Sequence, residues 1–259
     1  MKRLVCLACL VVGALAVMTD LAPAAPDDFE AVVFNADGGA TLPYRLLKPQ
    51  PLDPQKKYPL VLFLHGAGER GNDNLAQLKH VVNLFTTPQN REKYPCFVLA
   101  PQCPAGQKWV DVNWGAKTHE TPDKPAEPMA LTLQVIEQLQ KQHPIDARRM
   151  YVTGLSMGGY GTWDLIARRP EMFAAAAPMC GGGDETTAAK IAKLPIWNFH
   201  GAKDGAVPPA RSRNMIEALK KAGGAPKYTE YPDAGHDCWT PATKEPDLLP
   251  WLFAQKRAE

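Results

Sequence analysis

Tyr151-Val152-Thr153-Gly154-Leu155-Ser156-Met157-Gly158-Gly159-Tyr160-Gly161 is the stretch whose reading decides this chain. Its first residues form a short apolar block of strand character. A helical pattern then runs on to Arg168. Between them stands Gly154-x-Ser156-x-Gly158. Strand, sharp turn, helix is the setting in which that pattern carries chemistry. The turn holds the serine in a strained conformation. Small residues two before and two after keep neighbouring backbone clear of it. Its hydroxyl then projects above the carboxyl end of a sheet, beside a helix N-terminus that favours developing negative charge.

Working outward, similar apolar blocks recur. Tyr58–Gly66, Cys96–Pro101, Phe173–Pro178 and Pro195–Gly201 read as strands buried on both faces, and Met150–Thr153 begins the stretch above. Lys227–Tyr231 alternates, as an edge strand does. Helical spacing lies between them. Met129–Gln142 aligns Leu131, Val135, Ile136 and Leu139 on one face. Pro208–Ala222 has Pro near its start and Gly223-Gly224 past its end. Asn74–Thr86 and Asp247–Arg257 carry weaker helical patterns. Glu30–Asn35 and Thr41–Lys48, joined at Asp37-Gly38-Gly39, read as a hairpin. Strands alternating with helices predict an α/β fold with a mostly parallel sheet covered on both faces. The long polar segment Ala105–Pro128 is of a length that is often functional.

The N-terminus reads as an address. Lys2 and Arg3 precede an uncharged run from Leu4 to Thr19, then small residues around Ala22-Pro23-Ala24. The run is too short for a membrane span, which needs about 20 apolar residues. It fits a secretory signal over residues 1–25, leaving residues 26–259 as one catalytic domain in the periplasm or outside the cell. No stable membrane anchor is expected. The whole chain has 259 residues, 29 Lys+Arg against 27 Asp+Glu, and 45% hydrophobic residues. Near-balanced charge argues against a broad basic field for nucleic acid, and the apolar content argues against disorder. Beyond the leader lie Cys96, Cys103, Cys180 and Cys238. Free buried thiols and one disulfide are both compatible with an oxidising compartment. No Cys-x-x-Cys or His-x-x-x-His lies beyond the leader, so neither a metal site nor a cofactor is expected.

Four motifs together resemble the α/β-hydrolase superfamily: Leu64-His65-Gly66-Ala67-Gly68-Glu69-Arg70-Gly71, Gly154-Leu155-Ser156-Met157-Gly158-Gly159, Phe199-His200-Gly201-Ala202-Lys203-Asp204 and Gly235-His236-Asp237. More narrowly, the chain looks like the small exported esterases grouped with phospholipase/carboxylesterases, feruloyl esterases and polyhydroxybutyrate depolymerases. That resemblance implies a serine esterase on an α/β-hydrolase fold without a large lid domain.

A serine nucleophile needs a base, and the base an orienting acid. In this fold the order is Ser, acid, His. Only His200 and His236 follow Ser156. His200 ends a strand and is expected to pack beneath the site; His236, on a loop past the last strand, is the expected base. Asp204 is the expected acid, helped by the resemblance, with Asp184, Asp233 and Asp237 as competitors. The oxyanion of an acyl-transfer intermediate requires N–H donors. Met157 should supply one and the strap after Leu64 the other, Ala67 favoured and Gly66 its close rival. Glu69 and Arg70 read as a loop-fixing ion pair or as solvated charges. Trp109, Trp114 and Trp239 are candidate substrate walls, suited to sugar rings or phenolic acyl groups. Expected substrates are small or polysaccharide-linked esters, feruloyl and acetyl groups among them. A peptidase and a non-catalytic binding protein on the same scaffold are the alternatives.

Overall fold

The structure is a computed structural model that describes residues 25–258; the expected leader lies outside the described residues save for Ala25. Eight strands of the described residues form one sheet: β1 Phe29–Asn35, β2 Thr41–Leu47, β3 Tyr58–Leu64, β4 Phe97–Pro101, β5 Ile145–Leu155, β6 Ala175–Met179, β7 Trp197–Gly201 and β8 Lys227–Tyr231. The order across the sheet is β1-β2-β4-β3-β5-β6-β7-β8. β1, β2 and β4 pair antiparallel; β3 through β8 run parallel. Among the described residues seven helices accompany it: α1 Pro88–Lys93, α2 Glu127–Gln142, α3 Met157–Arg168, α4 Ala188–Ile191, α5 Ala210–Lys221, α6 Trp239–Ala242 and α7 Leu248–Ala254. This is an α/β-hydrolase fold.

β3 explains why its sequence is apolar without alternation: all seven residues are buried. Leu60, Leu62 and Leu64 belong to the core on one face, to which α2, α3 and α5 also contribute, with α3 lying against β3 itself. Val61 and Phe63 pack with residues 81–85 and α7 on the other. A strand covered on both faces has no polar face to show. α3 follows the same logic as the central helix, buried from Met157 to Ala167.

The hairpin β1–β2 forms at the expected turn, with Ala36 N–H bonded to Ala40 O at 2.8 Å. Elsewhere the structure departs from expectation. β5 begins at Ile145, five residues earlier than its apolar block, because a register shift between Tyr58 and Leu60 of β3 lets residues 146–149, three of them charged, bulge. Asn74–Thr86 is not one helix. Asn74 (φ +53°) and His80 (φ +63°) adopt left-handed backbone, leaving only a 3-10 turn at His80–Phe85. The last helix stops at Ala254.

Candidate active site

The carboxyl ends of β3, β5, β6 and β7 meet at one edge of the sheet. Ser156 stands between β5 and α3 with φ +53° and ψ −116°. Such a conformation costs a non-glycine residue about 1–3 kcal/mol. Its surroundings over-determine it: Ser156 N–H donates to Met179 O at 2.9 Å, and Ser156 O accepts from Tyr160 N–H at 3.1 Å. The glycines of the motif are required by close approach. A Cβ on Gly158 would lie 1.9 Å from Leu64 O, and one on Gly154 would lie 2.4 Å from Gly158 O. No side chain fits either place.

The structure brings His236 and Asp204 to this serine. His236 Nε2 lies 2.8 Å from Ser156 Oγ, and His236 Nδ1 lies 2.7 Å from Asp204 Oδ2. Gly201 allows the two carrying loops to converge, since a Cβ there would be 2.0 Å from Gly235 O. Lys203 N–H bonded to Ala234 O ties them together.

Asp204 is saturated with donors. Oδ1 accepts from Ala206 N–H at 2.8 Å and Val207 N–H at 2.9 Å. Oδ2 accepts from His236 and faces His200 Nε2 at 3.1 Å. His200 is fully buried, with Nδ1 against Ser212 Oγ at 2.7 Å and Nε2 also on Val207 O at 3.0 Å. It packs beneath the site, as expected from its place at a strand end. Burial pushes the Asp204 carboxyl up. The hydrogen bonds from His200, His236, Val207 and Ala206 outweigh it and hold the carboxyl far below the usual carboxylate range. With Asp204 ionised, its bond to His236 puts the imidazole proton on Nδ1. The Nε2 lone pair then faces the serine hydroxyl.

The competing carboxylates serve elsewhere. Asp184 accepts from Thr121 N–H, Thr186 N–H and Thr186 Oγ1. Asp233 pairs with Lys203 at 2.7 Å, and Asp237 accepts from Thr240 N–H and Oγ1.

The strap from His65 to Gly71 borders Ser156. A Cβ on Gly66 would approach the Ser156 Cβ to 3.7 Å. Met157 opens α3, where first-turn N–H groups lack intrahelical partners. Of the two readings for Glu69 and Arg70, a mutual ion pair or solvated charges, the structure replaces both with other contacts. Glu69 faces His80 Nε2 at 3.6 Å, while Arg70 donates to the backbone carbonyls of Ala67 and Gln107.

The three tryptophans separate. Trp109 is no substrate wall: it is fully buried, and its indole N–H donates to His65 O at 3.0 Å. Side chains inside the core cannot touch a ligand. Trp114 is half-buried, its carbonyl accepts from Tyr160 Oη, and its ring lies 5.4 Å from Lys108 Nζ. Trp239 stands edge-on to His236, with ring centroids 5.5 Å apart, and also meets His80. Sequence reasoning passed over His80, whose neighbours come from distant parts of the chain.

All four cysteines among the described residues are free and buried. Cys180, Asp204 and His236 offer ligand atoms within 4.8 Å of one another. The set suits a metal ion poorly. Burial pushes the Cys180 thiol well above its ordinary value, and the Asp204 and His236 atoms already bond each other.

Fold and site together define a class: an α/β hydrolase with a Ser–His–Asp constellation at the carboxyl edge of its sheet. The chain belongs to the dienelactone hydrolase family, whose match spans residues 111–246. It is similar to a thermostable esterase of known crystal structure, with 41% identity and TM-score 0.83 over 90% of this chain and 64% of that one. A bifunctional acetylxylan esterase/xylanase of Neocallimastix patriciarum is 38% identical over 172 residues, 66% of this chain and 22% of the relative. Poly(3-hydroxyalkanoate) depolymerase C of Paucimonas lemoignei is 29% identical over 39% of this chain and 31% of its own length. The chain thus spans between a fifth and a third of these two curated relatives.

Proposed function

We propose that this chain is a serine carboxylic-ester hydrolase with an acyl-enzyme mechanism, housed in one domain over residues 26–259 and exported behind a leader at residues 1–25. The observation that carries the reading is the unbroken hydrogen-bonded series Asp204–His236–Ser156, at 2.7 Å and 2.8 Å, ending on a serine of strained backbone.

Ser156 Oγ attacks the ester carbonyl as His236 Nε2 takes its proton. The tetrahedral oxyanion is met by the Met157 N–H and a strap N–H, Ala67 favoured over Gly66. The C–O bond breaks, His236 returns the proton to the leaving alcohol, and the acyl group stays on Ser156. Water, deprotonated by His236, attacks the acyl carbonyl; the bond to Ser156 Oγ breaks, His236 returns the proton to Oγ, and the acid leaves. Asp204 holds the imidazole in its tautomer and stabilises its charged form.

Carbohydrate-linked acetyl or feruloyl esters are the substrates we favour. The acetylxylan esterase relative supports the first, and an aromatic wall formed by Trp239 beside His236 suits flat acyl groups. The test is hydrolysis of p-nitrophenyl acetate and acetylated xylan by the wild type and Ser156→Ala. Turnover of both esters, lost in the folded variant, is expected. Equal turnover in the two proteins would overturn the reading.

A further inference from the structure

In the strap His65–Glu69, the carbonyls of His65, Gly66, Ala67 and Glu69 are each held by a hydrogen-bond donor. His65 O accepts from Trp109 Nε1 at 3.0 Å. Gly66 O accepts from His65 Nδ1 at 2.6 Å and, more weakly, from Glu69 N–H at 3.4 Å. Ala67 O accepts from Arg70 Nε at 2.9 Å, and Glu69 O from Gln102 Nε2 at 3.1 Å. His65 can act this way because it is neutral. Burial lowers its pKa to about 4, and its Nε2 accepts Cys103 N–H at 2.9 Å, which leaves the proton on Nδ1. In a trans peptide the N–H points opposite to the C=O. Fixing the Gly66 carbonyl therefore fixes the Ala67 N–H, and fixing the Ala67 carbonyl sets the next plane.

Gly66 N–H is placed differently. A Cβ on Gly66 would sit 3.0 Å from Glu69 Oε2, so an anionic carboxylate already crowds that residue. Burial raises this carboxyl, but its contact with His80, the nearby His65 and, least, the Gly66 N–H hold it below its ordinary value. A developing oxyanion gains nothing from a donor that already faces an anion.

We propose that Arg70 is a positioning residue: it fixes the Ala67–Gly68 peptide while His65 fixes the Gly66–Ala67 peptide, and the two planes flanking the Ala67 Cα together hold the Ala67 N–H, and not that of Gly66, as the second oxyanion donor. The guanidinium is suited to this because Nε holds Ala67 O while Nη1 holds Gln107 O at 3.2 Å, bracing the strap against the long segment that follows β4. Lysine has no such fork. The inference rests on the ester-hydrolase reading.

The test joins kinetics to amide NMR. Arg70→Ala is expected to lower kcat about tenfold to a hundredfold, less than or comparable to loss of a whole donor, with KM little changed. Its melting temperature should stay close to wild type, and added methylguanidine should restore part of kcat. Phosphonylation of Ser156 in the wild type should shift the amide resonances of Ala67 and Met157, leaving that of Gly66 near its free position. Full kcat in Arg70→Ala would overturn the proposal, as would a large shift at Gly66 with none at Ala67. A rise in KM alone, or a kcat loss unmoved by methylguanidine, would also count against it. Silence of the wild type toward both ester and phosphonate would instead bring down the ester-hydrolase reading, and the role of Arg70 with it.

Discussion

The elbow around Ser156 and the long segment between β4 and α2, residues 102–126, are both irregular backbone at the same edge of the sheet, and they are built in opposite ways. The elbow is shaped by what is missing. Gly154 and Gly158 sit where any Cβ would strike backbone. The long segment is shaped by side chains that reach it from far away in sequence. Arg168 donates to the carbonyls of Pro122, Asp123 and Lys124. Arg211, almost wholly buried, holds Lys117 O, and Asp184 holds Thr121 N–H at 2.7 Å. The segment is therefore a braced strut beside the site. A few kcal/mol removed from either region should have different consequences: catalytic loss at the elbow, local loosening at the strut.

The largest expected effect lies on the elbow side. Asp204→Asn keeps the shape but no longer enforces the Nδ1 tautomer of His236, and kcat should fall about 10⁴-fold with little change in melting temperature. A drop of only a few fold would place the orienting carboxylate elsewhere and end the elbow's claim to the chemistry.

Arg168→Ala should act on the strut. It leaves Asp164, 4% exposed, without its 2.8 Å partner, and strips residues 122–124 of their donor. Breaking a buried pair in this way costs about 3–5 kcal/mol. Thermal melts should register that loss while kcat on a small ester changes little. An equal collapse of kcat would merge the two regions into one functional unit.

His65 sits at the seam between them, and its effect is read by pH. Its folded pKa, about 4, lies below the unfolded value of about 6.5, so the unfolded chain binds the proton first. Stability should be flat above about pH 6.5 and fall as pH drops toward 4, by about 3 kcal/mol from this group. His119, lowered to about 4 mainly by burial and further by Arg211, adds in the same direction but more weakly, being partly exposed. Denaturant titrations at pH 7 and pH 4.5 check the sign. Stability that rises on acidification would contradict a neutral clamp.

Asp184→Asn is the smallest of the four. The bonds from Thr121 and Thr186 weaken without vanishing, for a loss of about 1 kcal/mol. Faster exchange of the Thr121 amide, with unchanged turnover, would keep the strut separate from the chemistry.

The comparison also explains what the sequence disclosed. The elbow was legible because its constraint is local: a strand, two obligatory glycines and a helix lie within a dozen residues. The alternation of apolar blocks with helical spacing likewise revealed the parallel sheet. The strut was illegible because its anchors lie up to 94 residues away in the chain, as for Arg211 and Lys117. Trp109 misled for a related reason: a large aromatic on a polar segment looks like a ligand platform until the fold shows it under the His65 strap. The helix expected at Asn74–Thr86 failed where left-handed backbone at two non-glycine residues interrupts an apolar periodicity.

The central claim is that Ser156 is the nucleophile driven by His236 and Asp204. The most direct measurement is peptide mapping by mass spectrometry after treatment with a serine-directed phosphonate, run alongside ester turnover. One adduct on Ser156, formed in step with loss of activity and slowed in Asp204→Asn, is the expected result. Continued ester turnover by protein fully phosphonylated at Ser156, or inactivation through a different residue, would contradict it.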